Sequence, residues 1–256
     1  VSTRAQRFTD KVVLVTGAGS GIGRGSALAF AAEGATVVAV GTTKSTLDET
    51  VELIAHQGGT ATSVVADVAS ADEVAEAVAF AVREFGGLHV AHNNAGFFPK
   101  PMPLADLPLE LWTRAVQVNL TGVLLCMQHE VRHMRDNGGG VIVNTSSNIG
   151  AHGRRPGVAA YAAVKAGVSA LTRGAALDHI GQGVRINAVS PGATATRMSL
   201  RPNETEADRA ERLKSSVPIG RVGEVAEVVN AVLWLASDES SFVVGQDVVA
   251  DGGVTA

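Results

Sequence analysis

Aromatic side chains make up only 4% of the 256 residues, and there is one cysteine, one tyrosine and two tryptophans. The lone Cys126 excludes an internal disulfide. With no His/Asn partner pattern around it, it reads as a small buried hydrophobe on a helix rather than a nucleophile. Basic residues are not in excess: 21 Lys and Arg stand against 25 Asp and Glu, a net charge of −4. That balance argues against a general binder of phosphate backbones, so no nucleic-acid partner is expected. No stretch approaches the roughly 18 uninterrupted apolar residues of a membrane-spanning helix. Residues 1–10 are polar, carry Arg4 and Arg7, and lead into no apolar signal region. These absences predict a soluble, cytoplasmic protein with no membrane partner. Linkers and low-complexity tracts are also missing, so residues 1–256 read as one domain. A metal site is not expected: His129 and His133 share a helix face at i, i+4, but no third ligand accompanies them.

What the chain does have is a 46% apolar fraction, dominated by Ala and Val. Short apolar runs at 11–15, 36–40, 61–66, 88–92, 141–144, 185–189 and 247–250 read as strands. Longer Ala-rich patterns at 22–32, 45–57, 70–85, 110–136, 157–180 and 222–237 read as helices between them. Alternation of this kind predicts an α/β fold, a doubly wound parallel sheet buried on both faces. Ligands then bind along the edge formed by the C-terminal ends of the strands. The stretch 201–214 is highly charged and interrupts the alternation. It reads either as a solvated helix or as a lid, within a variable loop at about 193–216.

Four local patterns carry chemistry. First, Thr16-Gly17-Ala18-Gly19-Ser20-Gly21-Ile22-Gly23 lies between a strand and a helix. Such a loop lets backbone N–H groups approach a pyrophosphate, with the positive end of the helix behind them. Second, the next strand ends at Gly41, where an acid would bind the 2′-hydroxyl of NAD(H). Thr42, Thr43 and Lys44 follow, a neutral-to-basic turn that favours NADP(H); the same three residues also suit a simple helix cap, and NAD(H) remains the alternative. Third, Tyr161 and Lys165 share a helix face at i, i+4. A phenol of pKa about 10 is costly to ionise at neutral pH, and an adjacent ammonium lowers that cost. Fourth, the strand before them ends in hydroxyls. Ser147 would stand beside the tyrosine, with Ser146 as the competing choice on the opposite face.

These residues, together with Asp67-Val68, Asn94-Ala95-Gly96, Asn119, Pro191-Gly192, Thr194 and Thr196, resemble the short-chain dehydrogenases/reductases, in their single-domain form of Rossmann-like fold. The resemblance runs over nearly the whole chain. It implies an NAD(P)(H)-dependent oxidoreductase acting on a ketone or secondary alcohol, with Tyr161 as general acid/base, Ser147 holding the substrate oxygen, Lys165 tuning the tyrosine and gripping the cofactor ribose, and Asn119 holding a relay water. It also implies cofactor contacts from Gly17, Ser20, Gly21, Ile22, Gly41, Thr42, Thr43, Asp67, Val68, Asn94, Ala95, Gly96, Pro191, Gly192, Thr194 and Thr196. Assembly as a homodimer or homotetramer through the helices near 110–136 and 157–180 is implied as well. Ser20 departs from the basic residue often found there in NADP-preferring members. Asn148 is polar where a smaller or apolar residue is common, and reads as a substrate contact. Phe97, Phe98, Pro99 and Pro101 read either as an apolar wall of the pocket or as an ordinary packed loop. A non-catalytic dinucleotide sensor is the rival reading, and the intact set Asn119, Ser147, Tyr161 and Lys165 argues against it.

Overall fold

Valine-rich runs with side chains alternating to both faces make seven strands. The computed structural model describes residues 6–256; residues 1–5, which include Arg4 of the polar N-terminal stretch, lie outside the described residues. The strands are β1 (Val12–Thr16), β2 (Thr36–Gly41), β3 (Thr60–Val65), β4 (Val90–Asn93), β5 (Gly140–Thr145), β6 (Val184–Pro191) and β7 (Asp247–Ala250). They form one sheet in the order β3-β2-β1-β4-β5-β6-β7. Every pairing is parallel. The direction of winding reverses between β1 and β4, which opens a crevice at the strand ends there.

The helices are α1 (Gly21–Ala32), α2 (Lys44–His56), α3 (Ala71–Phe85), α4 (Leu109–Val116), α5 (Gly122–Asp136), α6 (Ala159–His179), α7 (Glu206–Lys214) and α8 (Val225–Ala236). The two-residue period of a strand divides the core into two layers. Val13, Val15, Val37 and Ala39 face the layer containing Phe8, Phe30, Val232 and Leu233. Val12, Leu14, Val38 and Val40 face the layer of α3, α5 and α6, with Met127, Met134 and Val168. Each Val, Leu, Phe or Met among them, fully buried, contributes about 1.5–3 kcal/mol. The low aromatic content is consistent with this packing: small side chains let the helices lie close to the sheet.

A polar seam runs through the second layer. Asn93 Nδ2 donates to Glu130 Oε2 at 2.9 Å and to Asn144 Oδ1 at 3.1 Å, and Asn144 Nδ2 donates to Thr172 Oγ1 at 2.9 Å. It ties α5, β4, β5 and α6 together. Glu130 is fully buried, and its Oε1 has no partner. Burial pushes its carboxyl up to about 8, against a smaller downward pull from Asn93.

Three expectations change in detail. The helix predicted over 110–136 is not continuous: a single widened π turn, Gln117–Thr121, separates α4 from α5. The helix predicted from 222 starts at Val225, because residues 221–224 are drawn toward the loop after β6 by the bridge Thr194↔Gly223. The charged 201–214 stretch contains an ordered helix, α7, opened by a capping box between Thr205 and Asp208.

Candidate active site

The first strand delivers the glycine loop. Gly17 and Gly21 have φ of +66° and +54°, a left-handed backbone that side chains rarely adopt. Gly23 is held so close to Gly17 that a Cβ there would collide with the Gly17 carbonyl and come within 2.6 Å of Asn94 Nδ2. Ser20 caps α1 by conformation only; its side chain makes no cap bond, and no acid stands in the first turn. The first N–H groups of α1 therefore face the loop uncompensated, which suits a pyrophosphate. Thr196 leans over this point, since a Cβ on Gly21 would lie 3.1 Å from its Cγ2.

Several predicted cofactor residues hold the cradle together. Thr16 Oγ1 accepts from the N–H groups of Asn94 and Ala95 at 2.9 and 3.0 Å, and Asn94 Nδ2 donates to Thr16 O. Asp67 Oδ1 accepts from Ala69 N–H, and Oδ2 faces Arg114 at 3.3 Å. Val68 turns its side chain into a small core cluster with Val74, Val118 and Cys126. On the other flank, Gly192 N–H donates to Ala250 O, Asn148 N–H donates to Pro191 O, and Thr194 Oγ1 donates to Gly192 O.

Sequence reasoning missed Arg24. From α1 its guanidinium donates to Gly19 O at 2.6 Å, Thr50 Oγ1 at 3.1 Å, Thr46 O at 3.2 Å and Glu49 at 2.7 Å. It straps the glycine loop to α2. One arginine in an Ala-rich helix gives no sequence signal for this, because its partners sit on another element. In the turn after Gly41, Thr42, Thr43 and Lys44 are exposed, and Lys44 Nζ pairs with Asp48 at 2.6 Å.

At the ends of β4 and β5 the residues expected to be catalytic converge. Asn119 lies in the π turn. Its Oδ1 accepts from Phe97 N–H at 2.9 Å, while its Nδ2 donates to Phe97 O at 2.8 Å and Ala115 O at 3.0 Å. A Cβ on Gly96 would lie 3.2 Å from Asn119 Oδ1 and 4.0 Å from Lys165 Nζ, so the absence of a side chain there keeps the space between them open. Lys165 is buried and donates to Thr145 O at 2.7 Å. Its Nζ lies 5.8 Å from the centre of the Tyr161 ring. The Phe98 ring meets that of Tyr161 edge-on at 4.8 Å. Phe97, by contrast, packs with the Val68 cluster.

Of the two serines, Ser146 bonds Lys165 O and the Ser169 hydroxyl, both at 2.8 Å, inside the helix–sheet seam. Ser147 Oγ accepts from Ile149 N–H at 3.1 Å and neighbours the Tyr161 hydroxyl. Asn148 is buried, and its Nδ2 donates to Asp251 Oδ2 at 3.2 Å. That bond ties it to the C-terminal turn and does not favour the expected substrate contact.

In this state burial outweighs the expected lowering of the phenol. Burial pushes Tyr161 up to about 12, opposed only by the hydrogen bond from Ser147. Burial also brings Lys165 down to about 8, against the raising influence of Asp247. The ammonium donates to the Thr145 carbonyl and lies beside the Tyr161 ring. In this state Tyr161 is firmly protonated at neutral pH, while Lys165 stands close to titration.

The variable loop is anchored to this site. Arg209 is buried and donates to Thr196 O at 3.1 Å and Ser199 Oγ at 3.2 Å. Arg212 donates to Ser199 O at 3.0 Å and to Glu204 at 2.7 Å. A separate cavity of about 580 Å³ lies beyond β7, lined by His152, Arg221, Asp251 and Thr255 among others; neither Tyr161 nor Ser147 reaches it. His133 Nε2 accepts from Leu88 N–H, and no described helix is long and apolar enough to cross a membrane.

Comparison with known proteins agrees with this geometry. A family model described as Enoyl-(Acyl carrier protein) reductase matches residues 17–255. The chain is 41% identical to a cyclohexanol dehydrogenase from Acinetobacter sp. (strain SE19) over 98% of its own length and 97% of that protein. It is equally 41% identical to a cis-4-hydroxycyclohexanecarboxylate dehydrogenase from Sinomonas cyclohexanicum, over 98% and 99% of the two chains. A short-chain type dehydrogenase/reductase from Mycobacterium marinum superposes with a TM-score of 0.91 at 35% identity, covering 98% of this chain and 97% of that one. With a parallel Rossmann-like sheet, full-length coverage and these relatives, the chain belongs to the short-chain dehydrogenase/reductase family and is an NAD(P)-dependent oxidoreductase of alcohols and ketones.

Proposed function

We propose that this enzyme interconverts an alicyclic secondary alcohol and its ketone with NADP(H), Tyr161 passing the proton. The observation that carries the reading is the buried Tyr161 hydroxyl at the strand ends, with Ser147 beside it and the Phe98 edge against its ring. The bound dinucleotide supplies the hydride exchange. In the reducing direction Tyr161 gives its proton to the developing alkoxide. Ser147 accepts from Ile149 N–H, and a substrate oxygen beside Tyr161 would take over the proton that its hydroxyl now turns toward the phenol. Lys165 would return the proton to Tyr161 and, with a dinucleotide bound, would hold its ribose. The path to solvent runs through the π turn at Asn119, whose side chain is spent on Phe97 and Ala115 and whose main chain leaves the regular helical ladder. The elevated phenol suits the reducing direction.

A cyclic substrate is favoured because both cited curated relatives are named for cyclohexane alcohols. A flat apolar ring such as Phe98 suits one face of such a substrate. NADP(H) is favoured because Gly41 offers no carboxylate to repel a 2′-phosphate, and a Cβ there would meet nothing nearer than Leu47 at 3.4 Å. Lys44 is held by an exposed i, i+4 pair with Asp48, which solvent screens, so it is readily redirected. Assembly as a homodimer or homotetramer is proposed through α4, α5 and α6, where Leu109, Trp112, Leu124 and Leu177 are exposed. The test is a panel of cyclohexanols, cyclohexanones and open-chain counterparts, followed by nicotinamide absorbance with both cofactors. Turnover of the cyclic pair with tighter NADPH than NADH binding is expected. Open-chain substrates alone, or a clear NADH preference, would overturn the respective part.

A further inference from the structure

Asp247 opens β7, far in sequence from the reacting groups, yet its carboxylate is buried at 3% exposure. Every oxygen is engaged. Ser190 donates to Oδ1 at 2.6 Å, and Ser169 and His152 Nε2 both meet Oδ2, the latter at 2.9 Å. Ser169 lies one helical turn after Lys165, and with Ser146 it brackets the Lys165 carbonyl. A buried carboxylate surrounded by hydroxyls is thus wired to the helical turn that carries the lysine.

We propose that Asp247 is a positioning residue for proton transfer: through Ser169 it fixes the turn of α6 that bears Lys165 and sets a buried negative charge behind that turn. The inference rests on reading Tyr161 and Lys165 as the reacting pair. Around Lys165 stand Tyr161 on the same helix, the neutral Asn119 and Thr145 carbonyl, and His92, which bonds the Thr145 hydroxyl and which burial keeps neutral; Asp247 is the charge that acts on it. Burial drives Lys165 toward the neutral amine, and the Asp247 carboxylate opposes that drive. His152, on the loop between Ser147 and Tyr161, holds the far side of the carboxylate and is a quarter exposed.

The experiment is the pH profile of kcat/KM for carbonyl reduction in wild type, Asp247→Asn, Asp247→Thr and Ser169→Ala, with cofactor Kd measured alongside. Losing the charge lets Lys165 deprotonate earlier. The alkaline limb of both Asp247 variants should therefore move to lower pH, with activity at pH 9 relative to pH 7 falling at least roughly threefold beyond wild type. Ser169→Ala keeps the charge, so its limb should stay in place even where kcat falls. Cofactor Kd should stay within about twofold in all three. An unmoved limb in a folded Asp247 variant overturns the proposal. So does failure of both Asp247 variants to fold, which would make the carboxylate a folding group only. The parent reading fails separately: it falls if Tyr161→Phe remains active, whatever Asp247 does.

Discussion

Replacing Glu130 by Gln removes an ionisable group from the seam between α5 and β4 while keeping its shape and its bond from Asn93. In the folded protein the carboxyl titrates near 8, against an ordinary value of 4.5. The folded state therefore binds this proton more tightly than the unfolded chain does. Its contribution to stability is complete below the ordinary value and is lost progressively as pH rises through about 8. Each pH step across that window is worth about 1.4 kcal/mol. The full loss therefore approaches about 5 kcal/mol, an upper bound that water entry beside the unpartnered Oε1 reduces. His92 acts in the opposite sense. Its imidazole is held down to about 3 by burial, so it costs stability as pH falls below its ordinary range. The assay must therefore be a difference: urea or thermal unfolding of wild type and Glu130→Gln at pH 5, 7 and 9. The variant should be near wild type or slightly less stable at pH 5, and more stable by several kcal/mol at pH 9. A stability difference that does not change with pH would refute the reasoning, because the carboxyl would then titrate alike in both states.

Four further outcomes follow. Tyr161→Phe keeps the Phe98 contact and loses only the hydroxyl, so ketone turnover should fall at least about 100-fold with cofactor Kd unchanged; steady-state kinetics beside a fluorescence titration checks this. Gly23→Ala drives a Cβ into the Gly17 carbonyl, so cofactor Kd should rise at least about tenfold before any effect on folding appears by circular dichroism. Arg209→Ala releases α7 from Thr196 and Ser199, so substrate KM should rise several times more than cofactor Kd; equal changes would argue against a lid. Leu177→Glu places a charge on the exposed apolar face of α6, so light scattering should report a smaller assembly than wild type.

Much of this architecture was readable because its causes are local. A buried parallel strand needs a run of Val, Ile and Ala, and all seven runs appear within a few residues of the observed strands. The glycine loop was equally plain, since its backbone conformations admit few alternatives. The pairing of Tyr161 with Lys165 follows from helix periodicity alone. What stayed hidden depends on partners distant in sequence. His152 and Asp247 meet across 95 positions, and Arg24 reads as an ordinary surface arginine until α2 is folded against it. The raised phenol was invisible for a related reason. A charged neighbour can be read from spacing, but burial is a property of the whole fold, and here burial prevails. The place of Asn148 in the chain suggests a substrate contact, while its bond to Asp251 cannot be read from that place.

The widened turn at Asn119 has an implication for how this enzyme tolerates change. A π turn holds one residue more than the regular helix would, and each residue turns an α-helix by about 100°. Deleting a single amino acid between Gln117 and Thr121 would let the helix close into an unbroken ladder, a gain in local regularity. The same deletion would swing the Asn119 amide away from both backbone groups of Phe97 and slacken the loop that carries Phe98. A shortened variant of this kind should melt no earlier than its parent and yet turn over little substrate, so thermal scanning alone would score it as intact.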